Sequence, residues 1–410
     1  MLVHPSYQRI AQAVRRADSW VTGATVAFPD EGAELLSVPF RSRQAVHLLG
    51  QPSYACAEHD LSFEGEPTRD GADCGLEANL AFRYPFLRAR SDAPARTRHL
   101  IILLHGLNER SYTKYVPWAY QLWRTTGAAV ALFPLAFHVN RVHSAWGRSL
   151  EASLARRKQV PDNENAHAYN CVLSERLASR PERFFWGGVQ SFGDVIELVR
   201  SVREDQHPHV HREAQIDLLG YSAGGYLSLG LMLADPSGLF EASRCVLFES
   251  GAAMGSTHLA TRLIMDLACE VALMKLYVRF TGRLANPRLS HWLFEHEEGR
   301  WFRALFGEEK ERARFEARLK VLAPRLLAIS NTNDEVISAG AVFNTLKGRD
   351  RDTGVRVEQL TLGVHEHPFV CPDYEQKDRR FVTESLDEGA FGTGFERFIE
   401  LAAAMFQPRA

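Results

Sequence analysis

Residues 214–234 read AQIDLLGYSAGGYLSLGLMLA, and this stretch decides the fold. Ala214 to Leu219 is a short apolar run that stops at Gly220, as a buried strand does. Gly224 to Ala234 continues as a helix. Between them lies Gly220-Tyr221-Ser222-Ala223-Gly224, a G-x-S-x-G sequence. A sharp strand-to-helix turn exposes the serine hydroxyl at a sheet edge, and glycines two before and two after leave room for neighbouring backbone. The following helix N-terminus offers amide donors to negative charge developing beside the hydroxyl. In a chain with 29 glycines, chance supplies such a pattern on the order of 0.1 times. The motif therefore needs partners.

Outward from this stretch the chain alternates strands and helices. Further strand signals lie at His99–Leu104, Ala128–Phe133, Cys245–Phe248, Arg325–Ile329 and Val355–Leu362, each ending near Gly, Pro, Asn or Asp. Helical stretches separate them, at Tyr115–Arg124, around Phe192–Val202, at Gly224–Ala234 and at Phe395–Phe406. Nearly continuous apolar strands predict an α/β fold, a mostly parallel central sheet with helices on both faces. Sites in such sheets form at the carboxyl ends of the strands.

Residues 1–98, with Gly- and Asp-rich turns around 63–76, read as an N-terminal extension with a few antiparallel strands, packed on the core. Residues 99–251 and 323–410 make the core. Residues 252–322 are helical in character and read as a lid over the carboxyl edge. Within them, Leu263–Phe280 carries Asp266, Glu270, Lys275 and Arg279, so it predicts an amphipathic helix, not a membrane span.

The second motif, Leu104-His105-Gly106-Leu107-Asn108, follows the strand His99–Leu104. Strand-H-G-x here and G-x-S-x-G later resemble the α/β-hydrolase superfamily, over roughly 99–251 and 323–410. The resemblance implies an oxyanion hole formed by the backbone N–H groups of Leu107 and Ala223. It also implies an acid and a base in the order Ser, Asp or Glu, His. Asn331-Thr-Asn-Asp-Glu-Val-Ile337 resembles the family's acid turn, which makes Asp334 the expected acid, with Glu335 beside it. Gly363-Val-His-Glu-His-Pro-Phe369 carries two histidines. The family spacing of about four residues after the strand, counted from Leu362, selects His367 as base, with His365 the alternative.

Other residues carry weaker readings. Arg141, after the strand Ala128–Phe133, either clamps a substrate carboxylate or phosphate or pairs with an acidic neighbour. Tyr221, beside the nucleophile, is a substrate-contact candidate. His207-Pro-His209-Val-His211 has the look of a metal cluster but lies before its strand, at the opposite edge, so a surface connection is preferred and no metal is expected. Trp146 and Trp186 read as packing residues.

Composition narrows the partners. With 48 basic and 50 acidic residues, net charge −2, nothing favours nucleic acid or an anionic membrane. No Walker A loop or G-x-G-x-x-G is present, which counts against nucleotide-dependent chemistry. Six cysteines scattered without C-x-x-C pairs, and no signal-like N-terminus, favour reduced thiols and the cytoplasm. The resulting expectation is a cofactor-free serine hydrolase acting on a small-molecule acyl substrate. An ester is favoured over a thioester or amide. Acyl transfer to an alcohol, and a non-catalytic binding protein of the same fold, stand as alternatives. Oligomeric state is not readable.

Overall fold

The structure is a computed structural model that describes residues 25–28, 32–43, 73–90, 96–142, 146, 150–280, 287–369 and 388–407. Nine strands form one sheet: β1 (Val26–Phe28), β2 (Ala33–Arg41), β3 (Ala81–Ala89), β4 (Thr97–Leu104), β5 (Ala129–Phe133), β6 (Val210–Tyr221), β7 (Cys245–Phe248), β8 (Leu326–Asn331) and β9 (Arg356–Leu360). Their order is β1-β2-β3-β5-β4-β6-β7-β8-β9. From β5 to β9 every neighbouring pair is parallel, while β1, β2 and β3 join antiparallel.

The apolar runs are continuous because both faces are covered. In β4, Leu100, Ile102 and Leu104 enter one core, and Ile101 and Leu103 enter the other. On the first face lie the helices Glu182–Arg203 and Ala223–Ala234; on the second lie Val116–Thr126 and Glu388–Phe406. The helix Glu182–Arg203 buries Phe192, Val195, Ile196, Val199 and Val202 completely, each worth about 1.5–3 kcal/mol relative to exposure. Val116–Thr126 carries Pro117 in its first turn and ends on Gly127 at φ 71°, a left-handed stop that closes the last turn.

The fold class matches the sequence expectation. In the N-terminal region β2 and β3 pair antiparallel, and β3 pairs with β5 at Phe86↔Ala131 and Leu87↔Val130, extending the same sheet. Between β7 and β8 the described residues include the α-helices Leu267–Phe280, Pro287–Glu295, Glu297–Phe306 and Arg312–Leu322. Among the described residues no helix is long and apolar enough to cross a membrane. Cys171, Cys245 and Cys269 are buried free thiols; Cys56 and Cys371 lie outside the described residues.

Candidate active site

Parallel register brings the carboxyl ends of β4, β6, β7, β8 and β9 to one edge. Leu104 pairs with Gly220, Tyr221 with Phe248, Phe248 with Ile329, and Asn331 with Leu360. The residues that follow these strands therefore meet.

Ser222 sits at the turn from β6 into the helix Ala223–Ala234, at φ 53° and ψ −118°. A non-glycine residue in such a conformation costs about 1–3 kcal/mol and persists only where the surroundings hold it. Here its N–H donates to the Phe248 carbonyl at 3.0 Å, and its carbonyl accepts from Gly225 N–H at 2.9 Å. The Ser250 hydroxyl donates to the same carbonyl at 2.9 Å. The flanking glycines are required by space. A Cβ on Gly224 would stand 2.2 Å from the Leu104 carbonyl oxygen, and one on Gly220 2.4 Å from that of Gly224.

The Ser222 hydroxyl lies 2.8 Å from His365 Nε2, and His365 Nδ1 lies 2.7 Å from Asp334 Oδ2. An ionised carboxylate only accepts, so Nδ1 carries the ring proton and Nε2 presents its lone pair to the hydroxyl. All three residues are buried. Asp334 Oδ1 accepts from the Val336 and Ile337 N–H groups at 2.8 and 2.7 Å. Glu335, next to it, is exposed.

The histidine against Ser222 is His365, which corrects the expectation of His367. Strand β9 ends at Leu360, two residues before the end read from sequence. Counted from there, residues 361–364 fill the four-residue spacing and His365 follows. His367 lies past the turn, its N–H donating to the Val364 carbonyl at 2.9 Å. Burial, with Lys114 nearby, pushes its imidazole below the ordinary histidine range.

Around the turn after β4, the His105 ring bonds the Gly106 carbonyl through Nδ1 at 2.7 Å. Its Nε2 accepts from Leu135 N–H at 3.0 Å. Burial holds this ring well below the usual pKa, hence neutral. Gly106 N–H donates to the Tyr115 hydroxyl at 3.1 Å. The next residue, Leu107, lines the same cavity as Ser222 and Ala223. Neither the Leu107 nor the Ala223 N–H donates to an acceptor among the described residues.

Two substrate-contact candidates prove to be structural. Arg141 is completely buried, with an Nη 2.7 Å from Asp194 Oδ2. It also donates to the Pro134 and Asn79 carbonyls at 2.9 Å each. That is the acidic-neighbour reading, and no part of Arg141 lines the cavity. Tyr221 points away from the cavity: its hydroxyl donates to the His365 carbonyl. Its ring stacks on the imidazole at 5.5 Å between centroids. The histidine cluster also resolves as structure, since His207 bonds the Tyr84 hydroxyl at 2.8 Å near the amino end of β6.

A cavity of about 390 Å³ opens beside Ser222. Its walls are largely apolar, with Leu135, Leu173, Leu177 and Phe184 from the core and Leu259, Ile264, Phe302 and Phe306 from the segment inserted between β7 and β8. Trp146 is part of this wall, under the Arg176 guanidinium at 3.9 Å, whereas Trp186 packs in the core against Phe185. The insertion is tied to the site's own loops. Thr261 Oγ1 donates to Glu366 Oε1 at 2.5 Å, and Asn108 Nδ2 to the Leu263 carbonyl at 2.6 Å.

Sequence reasoning missed Glu249 and Asn331. Glu249 follows β7 at the active edge, so the rule that sites lie after strands points to it. Asn331 donates to Glu249 Oε1 and to the Gly363 carbonyl, at 2.8 and 2.6 Å, and joins three strand ends. Glu249, Asp334 and His365 are the one group of three possible metal ligands among the described residues. The His365 nitrogen that faces both carboxylates already bonds Asp334, so an ion there would replace that bond.

The sequence matches, over residues 6–393, a family model described as a family of unknown function, DUF6051. No curated protein matches it. Similar solved structures include carboxyl esterase 2 from the mycorrhizal fungus Tuber melanosporum, at 12% identity and TM-score 0.41, covering 98% of each chain. An esterase of Pyrobaculum calidifontis is 13% identical at TM-score 0.41, covering 80% of this chain and 81% of that one. Esterase Est22 is 14% identical at TM-score 0.44, covering 98% and 86%. Likeness this distant assigns neither substrate nor site residues.

Proposed function

The chain belongs to the DUF6051 family, a family of unknown function, and we propose that it is a serine hydrolase that cleaves a carboxylic ester through an acyl-enzyme on Ser222. One observation carries this reading: the unbroken line from the Ser222 hydroxyl to His365 Nε2 at 2.8 Å and from His365 Nδ1 to Asp334 at 2.7 Å. A serine hydroxyl is a weak nucleophile until a base takes its proton, and the base needs its tautomer held.

In the proposed sequence, Ser222 Oγ attacks the ester carbonyl carbon while its proton passes to His365 Nε2. The carbonyl oxygen becomes an oxyanion and accepts hydrogen bonds from the Leu107 and Ala223 N–H groups, an arrangement usually worth several kcal/mol of barrier. The tetrahedral intermediate collapses, the bond to the alkoxy oxygen breaks, and the His365 imidazolium protonates the leaving alcohol. Water, deprotonated by the same nitrogen, then attacks the acyl-enzyme; the bond to Ser222 Oγ breaks, His365 returns the proton to that oxygen, and the acid leaves. Asp334 stays ionised throughout and stabilises the imidazolium. The apolar walls beside Ser222 suit an acyl or alkoxy chain without charge.

A fluorophosphonate probe and a p-nitrophenyl ester test this. Wild-type protein is expected to be labelled once and to release nitrophenol, and Ser222→Ala to do neither. An intact wild type that is not labelled, or equal labelling of Ser222→Ala, sinks the reading.

A further inference from the structure

Two carboxyl groups, not one, stand behind His365. Glu249 leaves β7 at φ 45°, a left-handed conformation that a non-glycine residue adopts at a cost. Its N–H donates to the Ile329 carbonyl at 2.9 Å, and its side chain is completely buried. Oε1 accepts from Asn331 Nδ2 at 2.8 Å. Oε2 has no hydrogen-bond partner among the described residues, and it lies 3.5 Å from His365 Nδ1. That nitrogen is the one bonded to Asp334, and a ligand atom from each of the three side chains lies within 4.8 Å of the other two.

Two carboxylates this close, in a site shut off from water, do not both stay ionised. The hydrogen bonds decide which one keeps the proton. Asp334 accepts from two backbone N–H groups and from His365; Glu249 accepts from one neutral amide. Burial first, then the Asp334 charge, pushes the Glu249 carboxyl well above its ordinary range; the Asn331 bond and Lys114 oppose this, and Glu366 adds to it. Tyr115 and Tyr221, whose hydroxyls are raised well above the usual phenol range by burial, face it as neutral groups.

We propose that Glu249 is a reserve acid of the serine site: a neutral carboxyl group that helps position His365 and that takes over Nδ1 when the charge of Asp334 is removed. The inference rests on the hydrolase reading above. With Asp334 gone, the Glu249 proton leaves to solvent and the resulting carboxylate accepts the Nδ1–H. With Asp334 present, Glu249 stays neutral and adds no second charge to the pair. It is a positioning residue, since it touches neither Ser222 nor the space for substrate.

The test compares kcat/KM against pH on a p-nitrophenyl ester for wild type, Asp334→Ala, Glu249→Gln and the two together, with infrared spectra of wild type and Glu249→Gln. Asp334→Ala is expected to lose roughly 100-fold, where an unsupported histidine loses on the order of 10⁴-fold. Adding Glu249→Gln is expected to remove at least a further tenfold. Asp334→Ala with Glu249→Asp recovers part of that loss, which a purely structural role does not explain. The residual rate of Asp334→Ala rises with pH as Glu249 ionises, and this rise disappears in the double variant. The wild-type spectrum near neutral pH shows a protonated carboxyl band that Glu249→Gln lacks. Equal rates in Asp334→Ala and the double variant, or no such band in wild type, overturn the inference. Failure of the hydrolase reading shows separately, as activity retained by Ser222→Ala.

Discussion

Tyr221 holds His365 from behind: its hydroxyl donates to the His365 carbonyl, and its ring stacks on the imidazole with 22° between planes. The residue before the nucleophile thus fixes the base through the backbone. Tyr221→Phe keeps the stacked ring and strands a buried carbonyl, a loss of about 1–3 kcal/mol in stability. A slackened His365 should lower kcat roughly tenfold with KM nearly unchanged, because positioning acts on the transition state. Steady-state kinetics with a denaturant melt of both proteins checks this; an effect on KM alone contradicts it.

His365→Ala and His367→Ala should separate sharply. The first removes the group 2.8 Å from Ser222 Oγ and should cost at least about 10³-fold in kcat, as loss of a triad base does. The second removes a side chain past the turn and should stay within about tenfold. Greater loss in His367→Ala reverses the assignment.

The difference between these histidines marks where the sequence stopped being legible. The nucleophile turn is a local device, with strand, glycines and helix within residues 214–234, so Ser222 could be read directly. The sheet was equally readable, because β4 to β8 end at turn residues in the chain itself. The base depended on where β9 ends, and that is set from outside the strand. Asn331 pairs with Leu360, and Asn331 Oδ1 accepts the Leu362 N–H at 3.1 Å, so the chain leaves the sheet two residues early. Arg141 was ambiguous for the same reason. Its partner, Asp194, belongs to a helix 53 residues away, and no local pattern announces it.

Arg141 should therefore matter for folding and not for substrate. Arg141→Met leaves Asp194 buried without its cation, with the Ser42 hydroxyl still on its other oxygen at 2.5 Å. Breaking such a buried pair costs about 3–5 kcal/mol. A chemical denaturation midpoint should fall accordingly while KM for soluble esters stays within about twofold. A large rise in KM with unchanged stability would return Arg141 to the substrate.

The cavity wall predicts a chain-length preference. Phe302, on the helix Glu297–Phe306, lines the cavity and meets Phe185, Phe192 and Trp292 edge-on at 5.8, 5.6 and 4.9 Å. Phe302→Ala should enlarge the cavity and raise the ratio of kcat/KM for nitrophenyl octanoate over butyrate several-fold. It should also cost about 3–5 kcal/mol as a large-to-small change. An unchanged ratio in folded protein places the acyl chain elsewhere.

Acid should destabilise the fold through histidines buried in neutral form. Burial pushes His207 down from 6.5 to about 3, and holds His105 well below and His138 below the same starting value. The sign follows from proton binding. Between about pH 6.5 and 3 the unfolded chain protonates His207 while the folded protein does not, so each unit of acidification removes about 1.4 kcal/mol on this account alone. Above pH 6.5 both states are neutral and the contribution is flat. His207→Gln preserves a polar partner for the Tyr84 hydroxyl and removes the titrating ring. Denaturant midpoints measured from pH 7.5 to 4.5 should fall less steeply in the variant than in wild type. Parallel curves would mean that His207 is protonated in the folded protein as readily as in the unfolded chain.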